Sequence, residues 1–241
     1  MALQPHDILN YTSHRPDALA KGRWRYYQEW NDALFLHWKV DAEALQSLLP
    51  CGLVADTFRG QAWVSLVAFT MNRIRPRLLP AVPWVSDFHE INVRTYVRQG
   101  ERGGVYFLNI EAGKQQSVLL ARLLSGLPYE QAKIIRQENA CRSYNRQKGF
   151  RLDLQYETGE KIQEVSAADT WLCERYGLYL HKGGQLFYYP VHHLPWELYG
   201  IRFRNSLVSY GFGDILLDKA PDLAHYSPGV QVLAWPKKPV R

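Results

Sequence analysis

Cysteine is scarce in this chain. Cys51, Cys141 and Cys173 are an odd number, widely spaced and without a C-x-x-C pair, which supports neither a disulfide framework nor a zinc knuckle and fits a reducing compartment. Long apolar runs are missing too: no stretch approaches the ~18 residues of a membrane span. Residues 1–10 show no basic start followed by an apolar core, so the expected location is cytoplasmic, with no membrane partner. Neither G-x-G-x-x-G nor G-x-x-x-x-G-K occurs, and Gly103-Gly104 and Gly183-Gly184 read as hairpin turns, so no phosphate-cradling loop is expected. No repeat or low-complexity tract interrupts the order.

The 241 residues lie at the upper end of single-domain size, and a globule of this length buries roughly 70–75% of its unfolded surface. One domain spanning 1–241 is expected. Aromatic residues make up 13%, with 8 Trp and 15 Tyr, a content that suits sheets and lined cavities. The net charge of +6 comes mainly from residues 130–151, where Lys133, Arg136, Arg142, Arg146, Lys148 and Arg151 outnumber Glu130 and Glu138. No nucleic-acid-binding module accompanies these charges, so they read as a solvated hairpin and no nucleic-acid partner is expected.

Period-two alternation dominates the chain. Leu34, Leu36, Trp38 and Val40 alternate with Phe35, His37 and Lys39, and Asp41 then caps a short helix over 42–49 that Pro50 stops. Over 62–71 both alternating faces are apolar, which predicts a strand buried on both sides. Residues 88–97 and 105–112 form a hairpin, and residues 178–181 and 185–191 form another across Gly183-Gly184. The spacing predicts a helix over 117–125, strands over 132–138, 140–146 and 150–158, a helix over 168–176 and a closing strand over 201–210. The class is α+β, mostly β: curved antiparallel sheets with two or three short helices.

The polar focus is the strand at 88–97. Alternation puts Phe88, Glu90, Asn92, Arg94 and Tyr96 on one face and His89, Ile91, Val93, Thr95 and Val97 on the other. Either the polar face meets water, or it lines a barrel interior where a carboxylate and a guanidinium fix each other's charge and orient a ligand.

Four segments carry a family resemblance: W-R-Y-Y-Q-E-W-N-D-A-L-F-L-H-W-K-V-D-A-E-A-L-Q-S-L-L-P at 24–50, F-H-E-I-N-V-R-T-Y-V at 88–97, A-R-L-L-S-G-L-P-Y at 121–129 and H-H-L-P-W at 192–196. Together the chain resembles the YqjF-like family of uncharacterised proteins, itself similar to acetoacetate decarboxylase. That resemblance implies curved sheets forming a barrel-like cavity with the site inside. In the decarboxylase a lysine in G-x-P-K-K forms a Schiff base, assisted by a strand glutamate. Here the matching stretch is Gly126-Leu127-Pro128-Tyr129-Glu130. A phenol cannot form an imine, so Schiff-base chemistry at this position is excluded.

Glu90 matches the strand glutamate, Arg94 belongs to the YqjF-like pattern, and Lys39 roughly matches an arginine that handles substrate carboxylate. The candidate catalytic residues are therefore Glu90, Arg94 and Tyr129. Lys39, His37 and Asn92 are candidate ligand contacts. No metal and no cofactor are expected: His192 and His193, adjacent on a strand, point to opposite faces. The functional expectation is a small-molecule cavity protein, either an enzyme acting on a small carbonyl or carboxylate compound or a non-catalytic ligand-binding or sensing domain. Homo-oligomerisation stays open.

Overall fold

The computed structural model describes residues 4–114 and 126–240; the helix expected over 117–125 lies outside the described residues. In chain order the elements are α1 (Pro5–Asn10), β1 (Tyr26–Val40), α2 (Ala42–Ser47), β2 (Val54–Ala55), β3 (Ala62–Pro76), α3 (Pro83–Ser86), β4 (Phe88–Gln99), β5 (Arg102–Ala112), β6 (Tyr129–Gln131) and β7 (Lys133–Gln137). There follow β8 (Ala140–Asn145), β9 (Phe150–Lys161), α4 (Ala167–Cys173), β10 (Gly177–Lys182), β11 (Gln185–His193), β12 (Tyr199–Phe212), β13 (Ile215–Leu217), β14 (Leu223–Ala234) and β15 (Lys238–Pro239). No helix among the described residues is long and apolar enough to cross a membrane.

Strand pairing runs β11-β10-β5-β4-β3-β1-β14, and β14 pairs back onto β11 through Val191, His192 and His193 against Ala234, Leu233 and Val232. The sheet thus curls into a ring. From β14 it continues through β12, β9, β8 and β7 as an arm. Most neighbours are antiparallel; β10 and β6 run parallel to β5.

Two cores follow from the alternation. Side chains on the inner face of the ring, among them Phe35, Trp63, Val67, Phe69, Phe88 and Tyr96, pack into one cluster that also takes Leu172 and Cys173 from α4. The opposite faces of the same strands, with Leu34, Leu36, Val64, Leu66, Ile91 and Val93, pack against the arm. β3 is therefore buried on both sides, as its two apolar faces require.

Where expectation and structure differ, the backbone explains why. β1 begins at Tyr26, eight residues earlier than alternation shows, because register shifts at Tyr27/Glu29 and Asn31/Leu34, with Asp32 at φ +52°, break the period of two. The expected closing strand over 201–210 forms as β12 but does not close the ring. That role falls to β14, whose Pro228-Gly229 looks like a chain break. Gly229 instead adopts φ +132° against Trp30, where a Cβ would lie 2.4 Å from the Trp30 carbonyl oxygen, so only glycine fits. Asp41 caps α2 through Ala44 N–H, and Ser166 with Asp169 forms a reciprocal capping box on α4.

Leu66 is fully buried in the outer core, so Leu66→Ala is expected to lower unfolding free energy by about 2–5 kcal/mol. Leu216→Ala, at a side chain 67% exposed, should stay within about 0.5 kcal/mol of the parent. Denaturant unfolding measures both; equal effects would contradict this packing.

Candidate functional site

Alternation on β4 decides which groups enter the ring. Glu90 and Asn92 are each 4% exposed and Arg94 is 8% exposed, so the polar face of this strand is turned inward and not to water. With Tyr129 they line a cavity of about 130 Å³ whose remaining wall is largely aromatic and aliphatic, including Trp30, Phe35, Phe69, Phe107 and Trp196. That volume is close to the ~150 Å³ of an apolar cavity that accommodates benzene.

β6 lies across β5 from β4, with Tyr129 beside Ile110 and Ile110 beside Asn92. From there the Tyr129 hydroxyl donates to Glu90 Oε2 at 2.9 Å, and Asn92 Nδ2 donates to Glu90 Oε1 at 3.3 Å. Burial pushes the Glu90 carboxyl up to about 7, against the opposing effect of those two donors. Burial and the neighbouring Glu90 charge push the Tyr129 phenol well above its ordinary value. The pair therefore holds a proton that Glu90 can give or take near neutrality while Tyr129 stays a donor.

Arg94 sits where a bulge offsets β4 from β5, Val93 facing Asn109 and Arg94 facing Phe107. Its Nη2 donates to the Leu172 carbonyl at 3.3 Å, and its guanidinium lies 5.7 Å from the centre of the Phe35 ring. The expected Glu90–Arg94 ion pair does not form: Glu90 is held by Tyr129 and Asn92. Among the described residues, Arg94 Nε and Asn92 Oδ1 are buried with no hydrogen-bond partner. One is a donor and the other an acceptor.

Arg175 also lines the cavity, and no pattern in the sequence marked it. Nη1 pairs with Asp56 at 3.3 Å, Nε donates to the Trp171 carbonyl, and the guanidinium lies over the Trp171 and Tyr96 rings. Nη2 has no partner among the described residues. Two arginines thus face a partly enclosed, mostly apolar space, an arrangement suited to an anionic or carbonyl oxygen.

Lys39 and His37 are not among the lining residues. Lys39 is exposed at the strand end, 3.9 Å from Asp222, because β1 turns its last inward position toward solvent. His37 is fully buried one position beyond Phe35 and bonds Ser65 Oγ at 2.6 Å; burial holds its imidazole well below the ordinary range. His192 and His193 bond separate backbone carbonyls, those of Ile8 and Leu194.

No lysine lines the cavity among the described residues, and residues 115–125 contain none. Glu130 points the other way from Tyr129. It meets Lys148 Nζ at 2.9 Å and Asn145 Nδ2 at 3.0 Å, beside a second buried carboxylate that sequence reasoning missed. Glu111 accepts from Asn109, Ser143, Asn145 and Tyr210. Its oxygens are fully occupied by protein donors, which marks it as a structural group.

The ring with its internal cavity is the fold of acetoacetate decarboxylase-like proteins. The chain superimposes on an acetoacetate decarboxylase-like enzyme from Sphingomonas wittichii RW1 with TM-score 0.59 and 16% identity, covering 91% of this chain and 94% of that one. It also superimposes on the enduracididine biosynthesis enzyme MppR complexed with pyruvate, with TM-score 0.58 and 10% identity over 93% of each chain. At such identities the likeness is one of fold. The sequence relationship is narrower: the uncharacterised conserved protein family DUF2071 matches residues 27–231, and the uncharacterised protein YqjF of Bacillus subtilis (strain 168) is 35% identical over 224 residues, 89% of this chain and 92% of that protein. The chain belongs to the DUF2071 family.

Glu90 takes up a proton on folding. Its folded value lies near 7 against an ordinary 4.5, so its contribution to stability is greatest at low pH and declines as pH rises through that window. Glu90→Gln removes the ionisation. The stability difference, variant minus parent, should rise by about 3 kcal/mol between about pH 4 and about pH 8. Chemical denaturation across that range measures it, and a pH-independent difference would contradict the raised value; Glu111 is present in both proteins and cancels.

Proposed function

We propose that the protein binds a small carbonyl or carboxylate compound in the ring cavity and acts on it by proton transfer through Glu90. The observation that carries this reading is the pair of buried polar atoms on one strand face, Arg94 Nε and Asn92 Oδ1, that have no hydrogen-bond partner among the described residues. A buried polar atom left unpaired costs about 1–3 kcal/mol, and a ligand that offers an acceptor to Arg94 and a donor to Asn92 offsets it. A carboxylic acid, or a hydroxyl next to a carbonyl, has both. The arginines bind the oxygen end, the aromatic wall takes the carbon skeleton, and Tyr129 keeps Glu90 oriented toward the ligand.

Schiff-base catalysis has no place in this scheme, since the position matching the nucleophilic lysine is Tyr129. The pyruvate in the MppR complex belongs to that enzyme; it supports the reading only by showing that this fold can enclose a 2-oxo acid. Without proton transfer the same cavity serves a binding or sensing domain, and Glu90→Gln separates the two: it abolishes turnover in an enzyme and leaves ligand affinity within a few-fold in a sensor.

Pyruvate, longer 2-oxo acids and small aldehydes are suitable probes in thermal-shift measurements. At least one is expected to raise the melting temperature of the parent, with the shift lost in Arg94→Ala. Borohydride added with the 2-oxo acids should leave no stoichiometric covalent adduct. Equal shifts in parent and Arg94→Ala, or a one-to-one 2-oxo acid adduct on a single lysine, would overturn the assignment.

A further inference from the structure

Outside the cavity, next to the Phe35 ring, three buried side chains from three elements converge. His37 of β1, Cys173 at the end of α4 and His225 of β14 offer ligand atoms that all lie within 4.8 Å of one another. His225 Nδ1 is 3.3 Å from His37 Nε2, and Cys173 Sγ is 4.0 Å from that same nitrogen. The backbone sets up the meeting: Phe35 pairs with His225 across β1 and β14, so His37 is the diagonal neighbour of His225.

Hydrogen-bond direction determines what these nitrogens present. The Leu172 carbonyl can only accept, so the Tyr96 hydroxyl, 2.8 Å away, donates to it. Ser65 Oγ, 2.6 Å from that hydroxyl, must then donate to Tyr96. His37 Nδ1, 2.6 Å from Ser65 Oγ, must in turn donate to Ser65. A neutral His37 is left with a bare lone pair on Nε2. At the other end, Asp169 Oδ2 accepts from both the N–H and the O–H of Ser166, and Oδ1 faces His225 Nε2 at 3.0 Å. His225 Nε2 therefore donates, and a neutral His225 is left with a bare lone pair on Nδ1. Two lone pairs face each other at 3.3 Å with a sulfur beside them. That arrangement is repulsive unless a cation or a shared proton sits between them.

We propose that His37 Nε2, His225 Nδ1 and Cys173 Sγ bind a divalent transition cation of the zinc type. Tetrahedral zinc with bonds of about 2.0–2.1 Å to nitrogen and about 2.3 Å to sulfur places nitrogens about 3.3 Å apart and nitrogen about 3.6 Å from sulfur. The two nitrogens already stand at this separation, 3.3 Å; the sulfur, 4.0 Å from His37 Nε2 and within 4.8 Å of His225 Nδ1, has to move toward both nitrogens on binding. Each imidazole also has an outer partner, a carboxylate on His225 and a hydroxyl on His37, which is how metal-bound histidines are oriented. Binding replaces the S–H bond of Cys173 by an S–metal bond and releases the proton to solvent. Three protein ligands leave the fourth position to water or another small donor. Cys173 does not line the cavity, so a nucleophilic role for it lacks access, whereas an ion needs only local opening. The ion would tie α4 to β1 and β14 one residue from Leu172, whose carbonyl holds Arg94.

The test uses the full chain, stripped with a chelator under reducing conditions and titrated with Co²⁺. Expected are one equivalent bound, tetrahedral d–d bands, a thiolate-to-cobalt charge-transfer band and release of one proton, with zinc displacing the cobalt. Cys51→Ser, at an exposed cysteine, should keep the spectrum, and Cys173→Ser should lose the charge-transfer band. Asp169→Asn should weaken affinity about 10–100-fold. Folded parent protein that shows no stoichiometric cobalt spectrum, or a charge-transfer band that survives in Cys173→Ser, would overturn the proposal. A far-downfield proton resonance shared by His37 and His225 in a parent that binds no metal would overturn it in favour of an imidazolium pair.

Discussion

The carbonyl of Leu172 is the point at which helix and ring are joined. It lies at the end of α4, where a short helix has carbonyls without intrahelical partners, and it accepts from two side chains of β4, Tyr96 at 2.8 Å and Arg94 at 3.3 Å. Arg94 at the cavity and the chain that leads to His37 both start from this acceptor. Toward the cavity it fixes one end of the Arg94 guanidinium, whose Nε has no partner among the described residues. Away from the cavity it sets the donor direction of Tyr96, Ser65 and His37 in turn. A carbonyl has no alternative tautomer, so the order it imposes is not negotiable.

Side-chain alternation then sorts charged groups between two environments separated by one sheet. Tyr129 and Glu130 are adjacent, yet Tyr129 meets Glu90 inside the ring and Glu130 joins the Asn145 and Lys148 cluster on the other side. Glu90 and Glu111 are buried on opposite sides of the sheet, and their surroundings give them different capacities. Glu111 has four protein donors, whereas Glu90 has two beside an open cavity. The first is saturated with protein donors. The second, pushed up to about 7 by burial, gains or loses its proton near neutrality at the cavity wall.

Much of this was legible from residue order. The double-faced burial of β3, the hairpin turning on Gly183-Gly184, and the shared face of Glu90, Asn92 and Arg94 follow from residue order; Gly103 and Gly104, expected in a turn, instead pair with Arg98 and Val97 inside β5, and the chain turns at Gly100-Glu101. Other features were not. The first part of β1 is hidden by two register shifts, and β14 is hidden by Pro228-Gly229, a pair that reads as a turn until Trp30 is known to press against it. Lys39 shares a face with Phe35 and His37, yet it ends at solvent because the strand outruns the ring. Asp169 and Cys173, four apart on α4, share a helical face, the one local trace of the second cluster.

Residue order by itself determined most of the strands and the polar stripe on β4. Tertiary structure decided the rest. Whether that stripe met water or a cavity depended on ring closure between β11 and β14, where Val191, His192 and His193 pair with Ala234, Leu233 and Val232. Which histidines meet was likewise beyond local pattern, since His37 and His225 are 188 residues apart. Alternation says which side of a strand a residue takes; only closure of the sheet says what lies on that side.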